Sequence, residues 1–166
     1  MGRWIPVLLL AAATALLLPA AALAAATVTA HTSQSGSCRL DEVASRSATE
    51  ITYGARVTDC STRFGVRYAV SSGLLYDRTR GGAPDGGQLK RKRGDVPYSH
   101  TKTYTIPPMN AGDDFFTRTD VAVVLKQRRS HGARHVETWK DPGPLCRVTT
   151  TRRASDTLAC HFTERL

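Results

Sequence analysis

Residues 115–126 read FFTRTDVAVVLK and form the longest strand candidate of the chain. The second half of this stretch, Val121–Leu125, is continuously apolar. A short continuous apolar run is typical of a β-strand that is buried on both of its faces. The sequence therefore predicts a central strand of a β-sheet at this position.

Other stretches of the chain alternate between apolar and polar residues with a period of two. The alternation is clear in Ile51–Val57, in Phe64–Val70 and in Tyr98–Ile106. This pattern is typical of strands with one buried and one solvated face. Shorter strand candidates are Leu74–Tyr76, after a break at Ser71–Gly73, and His135–Trp139.

Turn residues separate these strand candidates at short intervals. Pro107-Pro108 is expected to end one strand, because proline cannot donate to a β-ladder, and a turn is expected at Asn110–Asp113. Residues 79–97 contain five glycines and one internal proline, Pro84, and are predicted to form a long polar loop. No amphipathic helix of useful length is present. The pattern predicts an all-β Greek-key sandwich of about seven or eight strands.

The turn at Ala111–Phe115 resembles the corner that precedes strand F in immunoglobulin-like domains, although it lacks the corner tyrosine. The resemblance covers five residues and implies an immunoglobulin-like path for the sandwich. The Cys-Trp-Cys framework of true immunoglobulin domains is absent from the sequence.

The N-terminal segment has the features of a secretory signal peptide. Arg3 precedes the apolar run Ile5–Leu18, and the segment ends in small residues that fit the A-x-A cleavage pattern at Ala24 or Ala26. The alternative is an uncleaved membrane anchor. We therefore predict a signal peptide over residues 1–26, a leader segment over 27–49 tied down by Cys38, and the sandwich domain over 50–166. No transmembrane span is expected after cleavage.

The four cysteines all lie after this segment, and an even number in an exported chain predicts two disulfides. Cys146 and Cys160 flank a polar run in a hairpin pattern that would place them opposite each other. Cys38 is then expected to pair with Cys60. No cysteine or histidine spacing indicates zinc, and neither a metal nor a cofactor is predicted.

The chain has 166 residues, 23 of them Lys or Arg against 14 Asp or Glu, and a net charge of +9. Arginine outnumbers lysine 18 to 5, a usage typical of a GC-rich and therefore bacterial genome. Much of the positive charge falls in three expected loops. These basic residues are Lys90, Arg91, Lys92, Arg93, Arg128, Arg129, Arg134, Arg152 and Arg153.

Clustered basic loops predict a surface for an anionic partner, either a cell-envelope polymer or an acidic protein. If the strands run up and down, the first two basic loops meet at one end of the sandwich. The third joins them only if the Pro142–Pro144 segment reverses the chain. The alternative is that the loops only keep the protein soluble. Aromatic residues are absent from the loops, so sequence-specific nucleic acid is not an expected partner.

The sequence contains no nucleophile elbow, zinc-binding helix or phosphate-binding loop, so no catalytic residue is predicted. Two alternatives to a secreted, monomeric binding protein stay open. One is a protease inhibitor that presents residues 107–113 or 79–97. The other is a basic ribonuclease that would recruit Glu50, Glu137, His100 and His161 together with neighbouring arginines.

Overall fold

The computed structural model describes residues 24–130, 133–135, 137–140, 142–150 and 156–166. Within these ranges the chain forms twelve β-strands and one short 3-10 helix, Pro108–Asn110. The strands are β1 (Ala24–Thr32), β2 (Ser37–Arg46), β3 (Glu50–Ser61), β4 (Val66–Asp77), β5 (Gln88–Gly94), β6 (Tyr98–Thr105), β7 (Phe115–Leu125), β8 (Arg128–Ser130), β9 (Ala133–His135), β10 (Trp139–Lys140), β11 (Cys146–Thr150) and β12 (Asp156–Arg165).

Ten of these strands build two antiparallel sheets. Sheet A has the order β10-β1-β2-β3-β6, and sheet B has the order β11-β12-β7-β4-β5. Strands β8 and β9 form a separate hairpin. The sheets bury a shared core that includes Leu40 and Val57 from sheet A and Val123, Leu158 and Phe162 from sheet B. The prediction of an all-β, sandwich-like fold is confirmed.

The longest predicted strand is β7, and it lies in the centre of sheet B between β12 and β4. Its inward side chains, from Phe115 to Leu125, are buried. Its outward side chains differ along the strand, because Val124 is buried whereas Arg118 and Asp120 are exposed. The expectation of burial on both faces is therefore correct only near the C-terminal end of the strand.

Both predicted disulfides are present. Cys38–Cys60 joins β2 to β3, and Cys146–Cys160 joins directly opposite positions of β11 and β12. The chain has no free cysteine. Each bridge is expected to stabilise the fold by about 2–4 kcal/mol, mainly by restricting the unfolded chain.

The predicted leader segment over residues 27–49 is instead part of sheet A. Strand β1 pairs with β2, β2 pairs with β3, and Leu40 and Val43 are fully buried. Strand β2 was not predicted because Asp41 and Glu42 interrupt its apolar pattern, although both side chains are buried. A second difference is the absence of the expected break at Ser71–Gly73, because β4 continues to Asp77.

Candidate functional site on the outer face of sheet B

The structure places the first basic segment in a strand and not in a loop. Lys90–Arg93 lies within β5, the edge strand of sheet B, so the prediction of a loop over the whole of residues 79–97 is wrong. Edge strands pair on one side only, and charged side chains along them discourage pairing with other chains. For this reason a strand without apolar alternation is stable at this position.

The second and third basic segments leave sheet B at one end of the sandwich. Arg128 and Arg129 lie in β8 and Arg134 in β9, directly after the end of β7. Thr157 of β12 pairs with Val124, and Thr150 of β11 pairs with Asp156, so the connection between β11 and β12 begins at this same end. Arg152 and Arg153 themselves lie outside the described residues.

Strand geometry directs the side chains of Lys92 and Arg93 in β5 to opposite sides of the strand. Arg93 pairs with Val70, and Val70 pairs with Ala122, so these three residues share the outer face of sheet B. Lys92 pairs with the buried Ser71 and therefore lies on the opposite side of the strand. Between Lys92 and Leu89 the register against β4 shifts, so Lys90 and Arg91 both lie at a bulge opposite Ser72, and opposite sides are established only for Lys92 and Arg93.

A groove of about 710 Å³ crosses the outer face of sheet B. Three small apolar residues on neighbouring strands, Val70, Ala122 and Ala159, lie in one row across it. The rest of the lining is mainly polar or basic. These other lining residues include Ser72, Arg91, Arg118, Asp120, Pro144, Leu145, Arg147, His161 and Thr163.

The three arginines of the groove lack the acidic partner that several other arginines of the described chain have. Arg39, Arg80 and Arg165 each pair with an aspartate at 2.8–3.1 Å. Arg91, Arg118 and Arg147 form no ion pair with any acidic side chain among the described residues. Their guanidinium groups are therefore available to an anion, for which they offer planar, bidentate donors.

The centre of the groove holds a histidine–aspartate pair. His161 Nδ1 lies 2.7 Å from Asp120 Oδ1, and both side chains are about half exposed. Ser72 lies opposite Asp120 in the same row of the sheet. The groove thus combines cations at its margins with hydroxyl, carboxylate and imidazole groups in the middle.

The residues of the ribonuclease alternative are not brought together. His161 lies on the outer face of sheet B, whereas His100 on β6 hydrogen-bonds through Nδ1 to Ser71 Oγ at 3.0 Å. Burial, and next the charge of Lys92, lower the pKa of His100. Glu137 is fully buried and accepts a hydrogen bond from the Thr32 hydroxyl, and Glu50 lies exposed at the start of β3.

The loop of the inhibitor alternative is held firmly by two arginines. Arg46 donates to the carbonyl oxygens of Ala111 and Asp113 at 2.7 and 2.9 Å, and Arg80 pairs with the Asp113 carboxylate. Met109 is 80% exposed on the 3-10 helix of this loop. The helical turn differs from the extended strand that adds to a sheet edge in peptide recognition.

Polar residues in the first half of β7 could have indicated this face from the sequence, but the apolar run in the second half suggested a strand buried on both faces. Arg118 and Asp120 occupy alternate positions of the central strand, which assigns them to one face of the sheet. Arg147 is separated from them in sequence, and only the strand order brings it to the same groove.

No group of three or more metal-ligating side chains occurs among the described residues. The described part of the chain also contains no helix that is long and apolar enough to cross a membrane. Comparison of the chain with protein-family models, curated proteins and solved structures found no match in any of the three.

Proposed function

We propose that this protein is exported and binds a linear anionic polymer of the cell envelope along the outer face of sheet B, without catalysing a reaction. The observation that carries the proposal is the set of three arginines, Arg91, Arg118 and Arg147, that surround one groove without acidic partners. The proposed binding surface is therefore a sheet face, and not the set of basic loops expected from the sequence.

Electrostatics support an anionic ligand. The chain carries a net charge of +9, and the groove has three arginines against a single aspartate, whose carboxylate is hydrogen-bonded to His161. A groove lined by one sign of charge concentrates ligands of the opposite sign. A groove open on a sheet face also accepts a chain that continues beyond it, which suits a polymer better than the compact surface of an acidic protein.

Export is supported by the two disulfides, because such bonds persist in oxidising compartments. The proposed signal peptide ends at Ala26, and the regular pairing of β1 with β2 starts at Thr27. Cleavage there would leave this ladder intact. The strand order also fits the proposed Greek-key path, since the chain passes from sheet A to sheet B between β3 and β4 and returns at β6.

The proposal is tested by removing the three groove arginines together. The variant Arg91→Gln/Arg118→Gln/Arg147→Gln is expected to bind dextran sulfate about tenfold more weakly at low salt, because three charged contacts are lost. A charge-matched control, Arg56→Gln/Arg63→Gln/Arg78→Gln, removes arginines outside the groove and is expected to bind nearly as well as the wild type.

Binding would be measured by titration calorimetry, and thermal unfolding would confirm that both variants fold. An equal loss of affinity in the two variants would contradict the proposal, because binding would then follow total charge and not the groove. Loss of binding in neither variant would also contradict it.

A further inference from the structure

A second cavity, of about 540 Å³, lies between the end of β4 with the connection that follows it and the end of β6 with the loop that leads to β7. It shares no lining residue with the groove on the outer face of sheet B. Its lining includes Asp77, Gly82 and Asp85 from the first segment and Tyr104, Met109 and Asn110 from the second.

Two buried side chains that line this cavity have an oxygen atom without a hydrogen-bond partner within the described residues. Asp77 is 1% exposed, and its Oδ1 accepts a hydrogen bond from the backbone N–H of Arg80 at 3.1 Å, whereas its Oδ2 accepts none. Asn110 is 7% exposed, and its Oδ1 also accepts none. Buried oxygen atoms are normally hydrogen-bonded, so these two indicate a donor that the chain itself does not provide.

The cavity is acidic, although the chain is basic overall. Arg80 is the only cation among the described lining residues, and its Nε lies 2.8 Å from Asp113 Oδ2 but 3.7 Å from Asp77 Oδ2, which is too far for a hydrogen bond. The exposed Asp85 forms no ion pair within the described chain. Burial, and next the negative charges of Asp77 and Asp85, raise the pKa of Tyr104. The cavity is therefore suited to a ligand with positive charge.

Apolar groups form much of the remaining lining. Ala83, Pro84 and Pro107 contribute aliphatic surface, and Tyr104 and the largely exposed Met109 complete it. A hard metal ion prefers a shell of six to eight oxygen ligands, and the described residues contain no group of three metal-ligating side chains. An organic cation uses both features, because its charge meets the carboxylates while its body covers the apolar surface. The volume is also typical of a small-molecule site.

The walls of the cavity are fixed by the chain itself. The backbone N–H of Asp77 donates to the carbonyl oxygen of Gly82 at 2.8 Å, and that of Asn110 donates to Pro107 at 2.8 Å. Arg80 links the two segments, because it pairs with Asp113 and its Nη2 lies 3.5 Å from the Met109 carbonyl oxygen. A preformed site orders few groups when its ligand binds, which lowers the cost of binding.

We infer that this cavity binds a small organic cation, a primary ammonium on an apolar body, whose N–H groups donate to Asp77 Oδ2 and Asn110 Oδ1. A primary ammonium carries three donors and no acceptor, which matches a site with unpaired acceptors. The inference goes beyond the proposed function, because it concerns a ligand of the opposite charge at a separate site.

The probe is phenethylamine, which is a primary ammonium at neutral pH, and 2-phenylethanol is the neutral compound of the same shape. Each would be titrated into isotope-labelled protein at low salt, with affinities taken from the amide chemical shifts. Phenethylamine is expected to bind about tenfold more tightly than the alcohol, because only the ammonium forms charged hydrogen bonds. The shifts are expected to cluster in residues 77–85 and 104–110.

The variant Asp77→Asn removes the buried charge and keeps an acceptor for the backbone N–H of Arg80. It is expected to bind phenethylamine about tenfold more weakly than the wild type. Asp95→Asn, which removes an exposed carboxylate outside the cavity, is the charge-matched control and is expected to leave the affinity unchanged.

A second variant, Gly82→Leu, places a side chain at the cavity without backbone strain, because a Cβ at Gly82 would meet no atom within 4 Å. It is expected to weaken binding of phenethylamine at least fivefold by occupying the space of the ligand. Gly112→Leu is the matched control, since a Cβ there also meets no atom within 4 Å and Gly112 does not line the cavity. Thermal unfolding checks that all four variants fold.

The outcomes are independent of polymer binding. Equal affinity of the wild type and Asp77→Asn for phenethylamine, or equal affinity of the wild type for the amine and the alcohol, would overturn the inference. The same amide shifts produced by calcium chloride at lower concentration would replace the organic cation by a metal ion. None of these results changes the expected binding of dextran sulfate, and a failure of dextran sulfate to bind would overturn the proposed function alone.

Discussion

At the scale of single residues, Glu42 is the least expected feature of the interior. It is fully buried between the sheets, and its Oε1 is 3.5 Å from the Thr117 hydroxyl, whereas its Oε2 has no hydrogen-bond partner within the described residues. Burial, and next the nearby Glu164, raise the pKa of Glu42 to about 7. The folded protein therefore holds a proton on this side chain over a pH range in which the unfolded chain has lost it.

This raised pKa predicts a loss of stability on the alkaline side. As pH increases from about 5 to about 7.5, the native protein must either retain the proton or bury a charge, so the free energy of unfolding falls. The variant Glu42→Gln cannot ionise and is expected to exceed the wild type in stability by about 2 kcal/mol at pH 8 and to match it at pH 5. Urea unfolding at the two pH values measures this difference.

The exposed Glu50, at the start of β3, provides the control for this experiment. Glu50→Gln changes the charge equally and is expected to give the same pH dependence as the wild type. A constant difference between Glu42→Gln and the wild type at both pH values would show that Glu42 titrates normally, and it would contradict the account of its burial.

At the scale of secondary-structure elements, the conformation of β5 determines which surface its basic side chains lie on. As a loop, the run Lys90–Arg93 would present four equivalent charges. As an edge strand, it places Arg93, which pairs with Val70, on the outer face of sheet B, and Lys92, which pairs with the buried Ser71, on the opposite side. Lys92 is fixed further, because its carbonyl oxygen accepts a hydrogen bond from the Tyr98 hydroxyl at 2.9 Å.

Two charge-matched single variants test this arrangement. Arg91→Gln is expected to weaken binding of dextran sulfate about threefold, because it removes a cation that lines the groove. Lys92→Gln is expected to weaken it less than twofold, because Lys92 pairs with the buried Ser71 and its charge lies on the other side of the strand. Equal losses in the two variants would indicate that the segment binds as a flexible loop, and the strand assignment would be contradicted.

The elements that the sequence predicted correctly are those whose apolar pattern matches their burial. The alternation in Ile51–Val57 and the apolar run of Val121–Leu125 identified β3 and β7, and the hairpin pattern identified the Cys146–Cys160 bridge. Strand β2 was missed because charged residues are buried in it, and β5 because an edge strand needs no apolar alternation. In both cases tertiary contacts outweigh the local pattern.

The sequence indicates basic residues for the candidate site that we propose, but it does not indicate where the site lies. Excess positive charge indicated an anionic partner, and Arg91 and Arg93 were among the predicted residues. Arg118 and Arg147 were missing because a groove across four strand boundaries depends on the order of strands that are distant in sequence. Strand order is set by the packing of the whole core, and a local pattern cannot reveal it.

At the scale of the whole molecule, the outer face of sheet B is distinguished by the groove that its arginines surround. On sheet A, Arg39 is paired with Asp41 at 2.9 Å, and Thr52 and Thr103 contribute hydroxyls that hydrogen-bond to each other. On sheet B, the groove arginines lack such acidic partners within the described chain. Three arginines without acidic partners thus surround one groove on this face, and a polymer would be expected to lie there.

The measurement that tests this account most directly is an NMR titration of the isotope-labelled protein with a short dextran sulfate. If the polymer binds in the groove, changes in amide chemical shift are expected to cluster in β4, β5, β7, β11 and β12, to disappear at high salt, and to leave sheet A unaffected. Shifts confined to the β8–β9 hairpin and residues 151–155, or spread over sheet A, would contradict the assignment of binding to the outer face of sheet B.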